Sequence, residues 1–162
     1  VFNVVHNAAV RAVAFSPDGT QLATASADGS ARTFSMSSGQ ELGRLQSAAP
    51  VNAITYSPDG THVATAGDDA TARIVVAATG AELSRFPHDG PVHAVTFTPT
   101  ATMLCTGSED TTARVFDIAS LTQRRSFAHD GPVVALSIDP TGSVLATAST
   151  DKTARVFLLP AG

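Results

Sequence analysis

The sequence predicts an all-β chain whose strands form a radial array of four-stranded antiparallel blades, a β-propeller, and three observations carry that prediction. The first is repetition: Val10, Val51, Val92 and Val133 stand 41 residues apart, and the same step joins Pro17, Pro58, Pro99 and Pro140. Ala12, Thr24, Asp28, Ala31 and Arg32 also recur at that step in all four copies, which composition alone does not produce. The second is punctuation. Short runs rich in Val, Thr, Ala and Phe alternate with Pro, Asp and Gly clusters, and no stretch carries helical periodicity. The third is low charge: 15% of the residues are charged, against roughly 25% in ordinary soluble domains. Both faces of each sheet therefore need covering, and blades stacked around an axis cover one another.

Within the first copy, Val10 to Phe15 reads as a strand that ends at Ser16-Pro17-Asp18-Gly19. There Pro fixes φ, and Asp-Gly accepts the positive φ of a tight turn. Gln21 to Ser26 forms the second strand, Ala27-Asp28-Gly29 the second turn, and Ser30 to Ser35 the third strand. A turn at Ser37-Ser38-Gly39 leads to a fourth strand, Glu41 to Gln46, and a loop through Pro50. The third copy has Thr100-Ala101 where the others have a turn glycine, so its first hairpin is expected to be longer or differently shaped. The repeats run 10–50, 51–91, 92–132 and 133–162, with residues 1–9 expected to supply an outer strand to the last blade. Four repeats of 41 exceed the 162 residues by two, so the whole chain is one array, and the opening Val suggests a trimmed chain or a fragment.

Fourteen acidic and ten basic residues give a net charge of −4, and Lys152 is the only lysine. A nucleic-acid surface built on bulk positive charge is disfavoured. The single Cys105 excludes an internal disulfide framework and any CxxC metal site, and leans the chain toward a reducing compartment. No run of 18 apolar residues exists, and Val1-Phe2-Asn3 lacks the basic start of a secretory signal, so no membrane partner is expected.

The strings Val10-Arg-Ala-Val-Ala-Phe-Ser-Pro-Asp-Gly19 and Leu22-Ala-Thr-Ala-Ser-Ala-Asp28-Gly-Ser-Ala-Arg32-Thr-Phe34-Ser35 resemble one repeat of the WD-repeat β-propeller family. The resemblance extends over essentially the whole chain. It departs from the family where Trp is replaced by Phe34, Val75, Phe116 and Phe157, and where the following Asp survives only as Asp117. The family's Gly-His pair is reduced to His6, His88 and His129, with Ser47 in the remaining copy.

His6 and Asp28 lie 22 apart, as do His88 and Asp110, and His129 and Asp151, while Ser47 stands in register with Asp69. An imidazole between a carboxylate and a hydroxyl such as Thr24 or Ser26 is the arrangement that activates a serine nucleophile. It also satisfies buried polar groups at a sheet corner. Repetition favours structure, because an active site needs one asymmetric constellation with an oxyanion hole. Arg32, Arg73, Arg114 and Arg155 are read as stems lying along the blades with their heads on acidic turns, rather than as a phosphate-binding ring. His62 and His93 have no partners at a metal-ligand spacing, and Asp68, Asp69, Asp89 and Glu109 read as a solvated acidic rim without the calcium-loop pattern. Cys105 reads as a small buried hydrophobe. No cofactor is expected.

The resemblance implies a non-catalytic scaffold that binds a protein or peptide. It also implies that the binding face is formed by the loops before each first strand and by the second turns. The positions that vary there are Arg11, Asn52, His93 and Val134, after the recurring Val, and Ala27, Asp68, Glu109 and Thr150, before the recurring Asp. Two other readings stand beside it: an engineered or fragmentary array without an evolved partner, and ligand binding or catalysis in the central channel. The bias toward Arg and Ala, together with the resemblance, implies a bacterial, cytoplasmic setting.

Residues 1–5 align with Leu42–Gln46, the fourth strand of the first copy, while the last copy ends where its own fourth strand is due. Phe2 and Val4 are thus expected to pair with the strand around Val156 to Leu158. Four blades in a ring splay by about 90° each and eight by about 45°. The small residues of Ala23–Ser26 and Ala64–Gly67 suit narrow wedges, so a homodimer closing an eight-bladed ring is expected, with a four-bladed monomer or a self-associating fragment of a seven-bladed ring as alternatives.

Overall fold

The computed structural model describes residues 2–159 and places four antiparallel sheets side by side. The first contains β1 (Val10–Phe15), β2 (Gln21–Ser26), β3 (Ser30–Ser35) and β4 (Glu41–Gln46). The second contains β5 (Val51–Tyr56), β6 (His62–Gly67), β7 (Thr71–Val76) and β8 (Glu82–Pro87). The third contains β9 (Val92–Phe97), β10 (Met103–Ser108), β11 (Thr112–Asp117) and β12 (Thr122–Ala128). The fourth has three strands, β13 (Val133–Ile138), β14 (Val144–Ser149) and β15 (Ala154–Leu158). Each sheet is a meander in sequence order, and the strands of the first blade have the bounds that the turn residues predict. Residue 1 of the expected outer strand and residues 160–162 of the last expected repeat lie outside the described residues.

The first hairpin of the third blade corrects one expectation. β9 and β10 are separated by the same interval as β1 and β2, because Ala101 takes up φ +56° where Gly19 has +70°. The missing glycine changes the conformational cost of the turn and leaves its length unaltered.

Three apolar layers lie between the sheets. Ala23, Ala25, Ala31 and Leu45 of the first blade, joined by Ala12 and Ala14, pack on Val51, Ile54, Tyr56, Val63 and Val75 of the second. Ala64, Ala66, Ala72, Ile74 and Phe86 meet Val92, Val95, Phe97, Leu104 and Phe116 in the same way. Met103, Cys105 and Val115 meet Leu145 and Leu159, flanked by Phe127, Leu136 and Ile138. The first junction thus sets an alanine-rich face against a face of larger side chains, which lets these two sheets approach closely, whereas the third packs Met103 and Val115 on Leu145. Cys105 lies buried in this packing, as expected, and burial pushes its thiol up to about 12.

The blades form an open arc. Val13 and Phe15 at one end and Val156 and Leu158 at the other are exposed, so the end faces do not cover each other. The expected pairing of Phe2 and Val4 with the strand near Val156 is not made within one chain. Residues 2–9 contain no strand, and the two segments belong to opposite ends of the arc.

Candidate functional site

Each first strand begins with a register shift against its neighbour, between Val10 and Ala12, Val51 and Ala53, and Val133 and Ala135, and opposite Gly107 and Ser108 in the third blade. Arg11, Asn52, His93 and Val134 are the residues left out of the ladder. A bulge re-aims the side chain it carries, and these four are thereby turned toward the second turns of the blades.

The structure brings together five of the eight variable positions. The Arg11 guanidinium reaches across the first junction to donate to the Asn52 carbonyl and, at 3.1 Å, to Asp68. Asn52 donates to Asp68 at 2.7 Å and, across the second junction, to the Val92 carbonyl at 2.9 Å. His93 meets Glu109 at 2.6 Å. The bulge brings these two residues, 16 apart in sequence, to one hairpin end. Val134 and Thr150 are exposed and Ala27 is half-buried, and among the described residues no side-chain hydrogen bond joins them to the cluster.

Beneath this surface lies the repeated network. His88 contacts Asp110 through Nδ1 at 2.9 Å and Thr106 Oγ1 through Nε2 at 2.7 Å, and His129 contacts Asp151 at 3.2 Å and Thr147 at 2.8 Å. A carboxylate only accepts, so Nδ1 carries the proton and Nε2 accepts the threonine hydroxyl. His6 makes the Thr24 contact at 2.7 Å and reaches Asp28 chiefly through Ser30. Ser47 donates directly to Asp69 at 2.9 Å. Arg32, Arg73, Arg114 and Arg155 each place a guanidinium on the Asp four residues earlier, as the sequence reading has it. Asp69 is correspondingly part of the network and not of a solvated rim, and Asp68, Asp89 and Glu109 are also paired.

Sequence reasoning missed the residue two after each Asp. Ser30, Thr71, Thr112 and Thr153 donate both backbone N–H and hydroxyl to its carboxylate. The signal was a hydroxyl residue at that place in every copy. These bonds hold the intervening Ala70, Thr111 and Lys152 at positive φ, where the first blade uses Gly29. The Thr, His and Asp side chains reproduce the order of a nucleophile, base and orienter. Yet Thr24, Thr106 and Thr147 are buried under the sheets, and none presents its hydroxyl to a surface.

Burial lowers the basicity of His88 and His6, which favours their neutral rings. Burial alone would raise the Asp110 carboxyl, but bonds from Thr112, the Asp89 N–H and His88 outweigh it and hold it at about 2. Asp69 is likewise held at about 2, its burial overcome by Arg73, Thr71 and Ser47. Both kinds of shift act in one direction. Below the ordinary histidine value of 6.5 the unfolded chain takes up protons that the fold refuses. Below 3.8 the unfolded carboxyls do the same. Stability is therefore expected to be flat above pH 7, to decline gently toward pH 5 and to fall steeply from about pH 4 toward pH 2. Urea midpoints across that range check this, and a midpoint that rose between pH 7 and pH 5 would contradict it.

The model of the WD domain, G-beta repeat family matches residues 2–35, 39–75, 80–117 and 121–157. The chain belongs to the WD-repeat family. Each later match begins in the turn before an outer strand, β4, β8 or β12, and the first begins at residue 2. A comparison with curated proteins finds no match. WD repeats generally mediate protein–protein interaction, and the family is typically non-catalytic. Among the described residues no helix is long and apolar enough to cross a membrane.

The first two junctions differ in how closely their outer turns approach. At the first, Gly43 and Gly80 press backbone on backbone. At the second, Ser84 and Leu121 stand in their places, and a cavity of about 440 Å³ opens beside Leu83, Ile118 and Phe97. The signal was Leu121, at a position where Gly39, Gly80 and Gly162 stand at the 41-residue step.

Proposed function

We propose that this chain is a non-catalytic scaffold that holds a protein or peptide partner on its loop face, in a bacterial cytoplasmic setting and as part of an eight-bladed ring. One observation carries the reading. Side chains that differ from blade to blade stand on bulges at one surface, above a buried network that recurs in every blade. A rigid base with variable, partly exposed polar groups is what partner recognition requires of a repeat protein. The face carries both signs of charge in Arg11, Asp68 and Glu109, which suits a polypeptide and not a phosphate backbone.

Replacing Arg11, His93 and Glu109 together by Ala tests this. Exposed ion pairs contribute about 0–1 kcal/mol each, so the melting temperature is expected to fall by no more than about 4 °C. A stoichiometric partner recovered by affinity capture on the wild-type chain, and identified by mass spectrometry, is expected to be lost on the variant. Unaltered capture would remove these residues from the site, and recovery of nothing by either chain would favour an array without an evolved partner.

A further inference from the structure

The meander order sends the turns after β5, β7 and β11 to the end of the blades opposite the loop face. At the first junction that end is shut: a Cβ built on Gly80 would lie 2.2 Å from the Arg44 carbonyl oxygen. At the second, between blades two and three, it opens into the cavity of about 440 Å³ beside Leu121 and Ser84, a volume within the roughly 300–1,000 Å³ of ligand sites. Buried Ile74 and Phe97 and half-buried Ile118 form its floor. Leu83 and Leu121 stand at its rim, 55% and 53% exposed. Leu121 also holds φ +57°, a left-handed conformation that a branched side chain rarely adopts and that Gly80 takes up one repeat earlier. Such strain persists where something offsets it, and within the single chain Leu121 gains little burial in return.

A carboxylate without a counter-charge borders the same cavity. Among the described residues an arginine or histidine faces every Asp and Glu except Asp18, Asp59 and Asp139. Of these three, Asp59 lines the cavity. Its Oδ1 accepts the Ser57 hydroxyl at 2.5 Å and the Thr61 N–H at 3.0 Å. The Ser57 bond, with those from Thr61, holds the carboxyl down at about 2, so it is charged at neutral pH. His62, whose Nδ1 meets the Thr61 hydroxyl at 2.7 Å, completes this polar edge. The cavity therefore offers an apolar floor and rim with one unneutralised negative charge beside them.

We propose that this groove is a second docking site, for a polypeptide segment that inserts one large apolar side chain between Leu83 and Leu121 and sets a Lys or Arg, close to it in sequence, on Asp59. The cation supplies the counter-charge that the chain itself does not. The apolar side chain takes both rim leucines out of water and gives the strained Leu121 turn its return in burial. The open rim favours a polypeptide over a small molecule, because leucines standing around the mouth are covered by a ligand that continues past it. The site goes beyond the loop-face reading and shares no residue with it.

A phage-displayed library of random short peptides, selected on the immobilised chain, tests this. The enriched peptides, synthesised with a fluorescent label, are expected to carry Leu, Ile, Met or Phe close to a Lys or Arg, and to shift the methyl resonances of Leu83, Ile118 and Leu121. Ser84→Gly with Leu121→Gly restores the glycines of the first junction and is expected to weaken binding about ten-fold or more by fluorescence anisotropy. Asp59→Asn, whose amide oxygen still accepts from Ser57 and Thr61, is expected to weaken it about five-fold. Both variants are expected to keep their β circular dichroism. The loop-face triple variant is expected to bind these peptides as the wild type does, so failure of the groove and failure of the loop face are separate outcomes. Peptides that bind the double-glycine chain as tightly as the wild type, peptides without a basic residue, or a library that yields no specific binder would each overturn the proposal. Self-association that Leu83→Asp abolishes in light scattering would give the groove to a second copy and overturn it as well.

Discussion

Asp110→Ala is expected to lower the free energy of unfolding by about 3 kcal/mol or more, because the carboxylate satisfies five donors at one sheet corner. One oxygen accepts the Thr112 N–H and hydroxyl, at 2.9 and 2.6 Å. The other accepts the Asp89 N–H, His88 Nδ1 and Arg114 Nη2. Removing it leaves a buried imidazole without an acceptor and a guanidinium with only the exposed Asp89 as counter-charge. It also frees Thr111, held at φ +67°, to leave the left-handed region, and so detaches β10 from β11 at that corner. The melting temperature is expected to fall by roughly 10 °C. Asp89→Ala provides the comparison: it removes an exposed partner of the same arginine and is expected to cost under about 1 kcal/mol. Urea unfolding of the two variants checks this, and equal midpoints would show that the network does not hold the blade.

The repeat made most of the fold legible, because identical turns at a fixed step mark the same strand ends four times over. Pro17, Asp18 and Gly19 fix the first hairpin by chemistry that acts within a few residues. Ala101 was misread for the opposite reason. Nothing local favours positive φ there, and the packed strands on either side impose it. The His and Asp network was readable as spacing, with a hydroxyl such as Thr24 beside the imidazole, whereas the Ser or Thr two residues after each Asp, a contact local to the turn, stood in every copy and was missed. The pairing of Arg11 with Asn52 and Asp68 was not readable. It spans a junction between blades, and both the bulge that turns Arg11 outward and the width of that junction are tertiary results. At the Asp68-Asp69 turn two readings of the sequence competed, and the one drawn from the recurring arginines describes Asp69, because Arg73 of the next strand lies on its carboxylate and takes it out of the rim.

Gly80 is expected to tolerate no side chain at all, and Gly80→Ala to cost about 3 kcal/mol or more. Two physical demands coincide there. Its φ of +73° is one that a Cβ disfavours, and a Cβ built on it would lie 2.2 Å from the Arg44 carbonyl oxygen and 2.4 Å from its nitrogen. These are backbone atoms of β4, which cannot swing aside as a flexible side chain would. Gly43 meets the same turn from the other side, where a Cβ built on it would lie 2.6 Å from the Gly80 nitrogen, and Thr33 ties the turn down by donating to the Ala77 carbonyl at 2.6 Å. Relief therefore requires the first two blades to part, which exposes the layer between Leu45 and Val75. The next junction supplies the control. Leu121, at φ +57°, shows that the left-handed turn by itself admits a side chain where Ser84 replaces Gly43 and the blades stand apart around a cavity. Leu121→Gly is accordingly expected to change stability by under about 1 kcal/mol, whereas Gly80→Leu, the same exchange reversed one blade earlier, is expected to cost more than Gly80→Ala. Thermal and urea unfolding of the three variants reads the order. A Gly80→Ala chain as stable as the wild type would show that the junction yields, and that the close approach of β4 to this turn does not set the spacing of the blades.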